Sequence, residues 1–283
     1  MELTFEETSR TVRTASWTIH YNEAGDPSSP ALVLLHGSGP GATGWSNFKS
    51  NIGVLADHFR VIAPDMPGWG RSDAVGRSEM DHAKAAIELL DALGIDQAAF
   101  VGNSMGGITS LRLVTEYPER VSHLITMGPG SGPQPKLFSA AGGLSEGMKT
   151  LVAAYRDPSV ESMTRLTEVM TYDSARFATP ELAGERAANA QANPTHLANY
   201  LEAFAQGGPI AKWFQLDDLT RVEVPALLIH GRDDRVVHYE NTLLLLAHIP
   251  NSRAVLLNRC GHWAQVEHAD EFNRLVIDFV TNN

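Results

Sequence analysis

Short apolar runs along the chain end abruptly at glycine or proline. Ala31–Leu35 stops at His36-Gly37, Phe59–Ala63 at Pro64-Asp65, and Ala98–Val101 at Gly102. Leu124–Met127 stops at Gly128-Pro129-Gly130, Ala226–Ile229 at His230-Gly231, and Ala254–Leu257 is a sixth run. Runs without polar alternation predict strands buried on both faces, as in a parallel sheet. Helical spacing separates several of them. Met80, Ala83, Ile87 and Leu90 recur three and four apart, with Gly94 as a terminator. Met105, Ile108, Leu111 and Val114 repeat the pattern until Pro118, and Phe272, Leu275, Val276 and Phe279 mark a terminal helix. Strands alternating with helices predict an α/β fold with a mostly parallel, doubly wound sheet. Thr11–Glu23, before Gly25-Asp26-Pro27, reads instead as an antiparallel edge hairpin.

The alternation fails between Ser131 and Gly208, where no apolar strand run occurs. Asp157-Pro158, Thr179-Pro180 and Asn193-Pro194 each pair a capping side chain with a proline suited to the first helical position. Gly207-Gly208-Pro209 closes the stretch. A segment this long is not a plain loop. The expectation is a helical lid over residues 131–208, interrupting a core domain made of 1–130 and 209–283.

Composition narrows the function. With 22 Lys+Arg against 33 Asp+Glu the net charge is −11, which repels phosphate backbones and anionic lipid, so neither nucleic acid nor membrane is an expected partner. The apolar run Leu243–Ala247 falls far short of the roughly 20 residues of a membrane span. Met1–Arg10 carries Glu2, Glu6 and Glu7 and does not read as a signal peptide. One cysteine cannot form an internal disulfide. These features lead us to expect a soluble, cytoplasmic protein.

Gly102-Asn103-Ser104-Met105-Gly106 fits the nucleophile elbow G-x-S-x-G, and it stands where the elbow must stand, between a strand run and a helical pattern. A serine nucleophile needs a base and the base needs an orienting acid. His262, in Cys260-Gly261-His262-Trp263 after the last strand run, is placed to reach back to Ser104; most of the other histidines fall in helical patterns or on expected surface. Gly231-Arg232-Asp233-Asp234 offers two carboxylates for the acid. His36-Gly37-Ser38-Gly39-Pro40-Gly41 follows the first buried strand, and its Ser38 N–H, with that of Met105, is the candidate oxyanion donor pair.

With these residues placed, the chain resembles the α/β-hydrolases throughout and, among them, the meta-cleavage product hydrolases, which break carbon–carbon bonds in aromatic degradation. The resemblance rests on His36–Ala42 with Trp45-Ser46-Asn47, on Gly102–Gly107, on Gly231–Arg235, and on Cys260–Phe272. It favours Asp234 as the acid. It implies a small-molecule substrate of the 2-hydroxy-6-oxo-hexa-2,4-dienoate type, no metal or organic cofactor, and a homodimer or larger homo-oligomer. It assigns substrate contacts to Gly37, Gly39, Asn47, Asn103 and Trp263, and pairs Arg186 with the substrate carboxylate. Read without the family, Arg186 is an ordinary surface arginine of a helix. Met170 and Val236 stand where the family often has aromatic residues near the acyl end, which leaves the acyl group open. Cys260 reads as small packing. The alternatives are a carboxylesterase or lactonase using the same triad, and a non-catalytic relative, which would be expected to have lost a triad member. Asp at position 104 would have marked a haloalkane dehalogenase.

Overall fold

The computed structural model describes residues 3–76, 79–132, 137–138, 143–206 and 212–283. Phe5–Thr8 (α1) leads into a hairpin, Ser9–Arg13 (β1) and Thr18–Ala24 (β2). Ala31–Leu35 (β3), Gly44–Leu55 (α2), Arg60–Pro64 (β4), His82–Ala92 (α3), Ala98–Asn103 (β5), Met105–Glu116 (α4) and Val121–Met127 (β6) follow. The insert comprises Glu146–Arg156 (α5), Val160–Met170 (α6), Ser174–Phe177 (α7), Pro180–Gln191 (α8) and Pro194–Ala205 (α9). Ala226–Gly231 (β7), Glu240–His248 (α10), Ser252–Leu257 (β8), Ala264–Glu267 (α11) and Ala269–Asn282 (α12) complete the chain.

Among the described residues the strands form one eight-stranded sheet in the order β1-β2-β4-β3-β5-β6-β7-β8. The hairpin and its seam with β4 are antiparallel; every other pairing is parallel. The run in β3 shows why the strands lack polar alternation. Leu32 and Leu34 enter the core shared with Phe48 and Ile52 of α2 and Phe272 and Val276 of α12. Val33 and Leu35 enter the core shared with Ala86 and Leu90 of α3 and Leu111 of α4. Burying both faces removes the need for a polar side chain in the strand. The chain steps outward from β3 to β4 and then crosses back to β5. That reversal leaves a crevice at the carboxyl ends of β3 and β5, where open α/β sheets bind their ligands. No helix among the described residues is long and apolar enough to cross a membrane.

Several local expectations need correction. β8 is the sheet edge, so Arg253 and Leu256 are exposed and Leu257 alone is buried. Asp157 ends α5 rather than starting α6; Ser159 caps α6, and the Asp157 carboxylate accepts from the Ser159 and Ser162 hydroxyls. Thr179 caps α8 with Pro180 behind it. Pro194 does open α9, but the Asn193 amide donates back to Asn189 O at 3.2 Å instead of capping. Gly207-Gly208-Pro209 lies outside the described residues.

The histidines depart furthest from expectation. His20, His36, His82, His196 and His230 are all buried, as is His262. Burial pushes His82 down to about 4 and His196 to about 3, so both are neutral in the folded chain at physiological pH. The unfolded chain protonates them near 6.5 and therefore binds more protons between pH 6.5 and those values. Folding stability should then fall as pH drops below about 6.5, at up to about 1.4 kcal/mol per pH unit for each such histidine. Urea unfolding of His82→Gln between pH 6.5 and 4.5 should show a shallower acid slope than the parent. An unchanged slope would mean that His82 is not held neutral by burial.

Candidate active site

β5 ends at Asn103, and Ser104 follows with φ 53° and ψ −111° before α4 begins. L-residues avoid this region, and Arg259 is the only other non-glycine described residue at positive φ. The neighbouring glycines make the turn possible. A Cβ on Gly106 would lie 2.1 Å from Leu35 O, and one on Gly102 would lie 2.2 Å from Gly106 O. The two strands and the helix thus touch through bare backbone. Ser104 N donates to Met127 O at 2.8 Å, fixing the turn to β6. Met105 heads α4, so its N–H has no carbonyl one turn back within the helix.

His262 follows β8, and its N–H donates to Met170 O of α6 at 2.7 Å. Its Nδ1 lies 2.7 Å from Asp234 Oδ2. Asp234 Oδ1 accepts from Val236 N at 2.7 Å and Val237 N at 2.9 Å. His230 Nε2 is shared between Val237 O at 2.8 Å and Asp234 Oδ2 at 3.2 Å. Burial alone would push the Asp234 carboxyl up; His262 and His230 outweigh it and hold it well below the usual carboxylate range. A carboxylate there places the His262 proton on Nδ1 and leaves the Nε2 lone pair free to act as a base. Asp233 points elsewhere: its carboxylate stands 3.6 Å from Arg232, and its N–H donates to Cys260 O. Ser104 and His262 line one cavity without a hydrogen bond between them.

Gly37, Ser38, Gly39, Asn47, Asn103, Leu151, Met170, Arg186 and Trp263 line the same cavity. The buried Asn103 amide donates to Met127 O and His262 O, so it also braces the histidine loop. Val236 does not reach the cavity; it packs where α5 begins, 2.5 Å from a Cβ built on Gly147. Cys260 is fully buried, and burial pushes its thiol up, so it is unreactive packing.

Arg186 is not a surface residue: it is 2% exposed. Its Nη2 donates to Pro40 O at 3.1 Å, and the guanidinium carbon lies 5.1 Å from the centre of the Trp263 ring. Its Nε has no partner. Among the described residues no carboxylate oxygen comes within 4 Å of it; Glu185 turns outward to Lys49 at 2.6 Å. Burial pushes Arg186 down to about 10, which still leaves it charged at neutral pH. A second cavity of about 210 Å³ lies against it, sharing Asn47, Arg186 and Trp263 and continuing to Lys49 and Phe177. Arg186 therefore stands between the two cavities.

The sequence reading overlooked His230, which it took as strand punctuation, and the buried pair Tyr155 and His196 beside Ser38. It also overlooked a second chain of hydrogen bonds with triad composition. Ser9 Oγ lies 2.8 Å from His20 Nε2, and His20 Nδ1 lies 2.8 Å from Asp65 Oδ2. Ser9 has ordinary extended backbone and stands at the start of a strand, with no helix N-terminus behind it.

An α/β-hydrolase fold family model matches residues 30–269, and the chain belongs to that family. It is 44% identical over 272 residues to a 2-hydroxy-6-oxo-6-phenylhexa-2,4-dienoate hydrolase of Burkholderia cepacia, covering 95% of this chain and 93% of that one. It is 42% identical to a 2-hydroxy-6-oxononadienedioate/2-hydroxy-6-oxononatrienedioate hydrolase of Comamonas testosteroni, with the same coverage. A solved meta-cleavage product hydrolase of Pseudomonas fluorescens superposes with a TM-score of 0.84 at 29% identity, over 98% of each chain. Within the α/β-hydrolases the chain is thus a member of the meta-cleavage product hydrolases.

The geometry separates the two adjacent carboxylates experimentally. Asp234→Asn should lower kcat/KM by roughly 10,000-fold, the scale seen when a triad acid is replaced, while Asp233→Asn should stay within a few-fold of the parent. Equal losses in the two variants, measured on one substrate with Tm recorded for both, would refute the assignment.

Proposed function

We propose that this chain hydrolyses the carbon–carbon bond of 2-hydroxy-6-oxo-hexa-2,4-dienoates, releasing 2-hydroxypenta-2,4-dienoate and a carboxylic acid. The observation that carries the reading is Arg186: a buried cation with no carboxylate partner among the described residues, in the wall of the cavity that holds Ser104 and His262. A buried unpaired charge is costly, and a site retains one when its ligand supplies the counter-ion. A guanidinium fork suits a carboxylate. A simple ester would leave Arg186 unanswered.

The chemistry assigned to the residues runs in two stages. The bound dienol first gives up its enol O–H proton and receives one at carbon, with His262 as the shuttle, to become a keto tautomer. Ser104, or a water that it and His262 activate, then adds to the distal ketone. The N–H groups of Ser38 and Met105 stabilise the resulting oxyanion. The oxyanion collapses, and the pair of electrons of the carbon–carbon bond leaves on the dienoate fragment, where a proton from His262 quenches it. On the serine route water then hydrolyses the Ser104 acyl ester, releasing the carboxylic acid and restoring the hydroxyl; on the water route the acid is released directly. Asp234 holds the His262 proton on Nδ1 throughout. Asn47 and Trp263, shared by the two cavities, flank the carboxylate end, and Gly37, Gly39 and Asn103 shape the wall near Ser104. Leu151 and Met170 supply an apolar wall suited to an uncharged acyl group.

In this reading the insert is a lid, residues 131–208, over a core of 1–130 and 209–283. Its role is supported by Met170, Arg186 and Leu151, which it contributes to the cavity. The same reading takes the enzyme to be cytoplasmic and a homodimer or larger homo-oligomer; the lone, buried Cys260 accords with a reducing compartment.

Two outcomes test the proposal. Ser104→Ala should cost several orders of magnitude in kcat with Tm little changed, and turnover within tenfold of the parent would remove Ser104 as the reacting group. Arg186→Gln keeps a donor for Pro40 O and removes the charge. Its kcat/KM on a ring-opened dienoate, followed by loss of the yellow absorbance, should fall roughly 30- to 1,000-fold. Hydrolysis of p-nitrophenyl acetate should change less than threefold. Equal losses on both would make Arg186 a structural tie, and no loss on either would favour a generic esterase.

A further inference from the structure

Tyr155 of α5 reaches from the insert to the loop after β3. Its hydroxyl donates to Ser38 O at 2.5 Å, and its oxygen lies 3.0 Å from His196 Nε2 of α9. A phenol has one proton, and here it is committed to the carbonyl. His196 must therefore donate the second bond and carry its proton on Nε2, which agrees with a His196 Nδ1 that meets no partner. Burial favours the neutral form of both groups, pushing the phenol up and the imidazole down. The result is a directed chain, His196 Nε2–H to Tyr155 Oη–H to the Ser38 carbonyl, in which each bond polarises the next. Packing fixes both donors. Tyr155 stacks on Tyr200 at 3.5 Å and 7°, and His196 sits 4.1 Å from Trp69, ring centre to ring centre.

The Ser38–Gly39 peptide has reason to need such a tie. Glycine offers little torsional resistance, so this plane can rotate where others would not. Both residues line the cavity that holds Ser104. A carbonyl turned into that cavity would set its lone pairs against the oxyanion. Two residues on, Arg186 of α8 ties Pro40 O in the same way. A Cβ on Gly41 would lie 2.1 Å from Arg186 O, so the loop is pressed directly onto the insert.

We propose that Tyr155 and His196 are positioning residues that hold the Ser38 loop in its oxyanion-stabilising conformation, so that the seating of the insert and the competence of the oxyanion site are one event. The inference rests on Ser38 N–H as an oxyanion donor in the proposed hydrolysis.

Tyr155→Phe removes the hydroxyl and keeps the stacked ring. It should lower kcat by about 10- to 100-fold on a ring-opened dienoate and on p-nitrophenyl acetate alike, with KM changed less than threefold. Affinity for a trifluoromethyl ketone, which adds Ser104 to form a stable oxyanion, should weaken by the same factor. Binding of 2-hydroxypenta-2,4-dienoate, which forms no oxyanion, should not change. His196→Gln retains an N–H donor and should stay within threefold, whereas His196→Leu should resemble Tyr155→Phe. If Tyr155→Phe does not fold, the His196 pair carries the same comparison. Parent-like kcat and ketone affinity in Tyr155→Phe, or in His196→Leu, would overturn the proposal. So would a loss confined to the dienoate, or a fall in Tm with ketone affinity intact. Absence of dienoate turnover in the parent would instead strike the hydrolase reading, leaving the Tyr155 result to be judged by p-nitrophenyl acetate turnover and ketone binding.

Discussion

Ser104 occupies a backbone region that costs roughly 1–3 kcal/mol, and the rest of the site depends on the contacts that impose it. The strain persists because β3, β5 and α4 meet without side chains between them, at Gly102 and Gly106. Any Cβ there would drive the helix off the sheet and relax the turn. The strand order adds the second condition. Reversal between β3 and β5 opens the crevice where the strained serine emerges, beside the loop that carries Ser38. The ends of β7 and β8 then need only loops of a few residues to bring Asp234 and His262 to it.

The two charged groups of the site are treated in opposite ways. Asp234 is saturated, taking two backbone N–H groups on one oxygen and two imidazoles on the other. It is a finished anion whose task is to hold a proton in place on its neighbour. Among the described residues Arg186 makes one bond, to a carbonyl, and its Nε has no partner. Saturation suits a group that must not change during a reaction, and deficit suits the carboxylate-recruiting role proposed for Arg186.

Much of this was legible in the chain. The parallel strands, the elbow and the interrupting helices follow from runs of apolar residues, from Gly102 and Gly106, and from prolines at helix starts, because each of these is a local constraint. What the chain hid was burial decided by distant partners. Arg186 has the helical setting of a surface residue, and only the stacking of α8 against the loop after β3 encloses it. His82 and His196 lie in separate helices that both pack an imidazole onto Trp69, which no periodicity reveals. β8 carries the same apolar signature as its neighbours, and its place at the edge is settled by topology. Asp157 misled because Ser159, two residues later, supplies the cap by accepting from Ser162 N.

The Ser9–His20–Asp65 chain shows what a template of distances would mistake. Its bonds are as short as those a working triad makes, and its aspartate and imidazole are as deeply enclosed. Yet Ser9 lies in relaxed extended backbone, and no helix end directs bare N–H groups at the space before it. Such a relay can move a proton, but it has nowhere to lodge the negative charge that proton transfer would release. A survey that sought hydrolases by superposing three side chains would count two centres in this molecule. One that sought a serine under torsional strain, at the head of a helix, would count one.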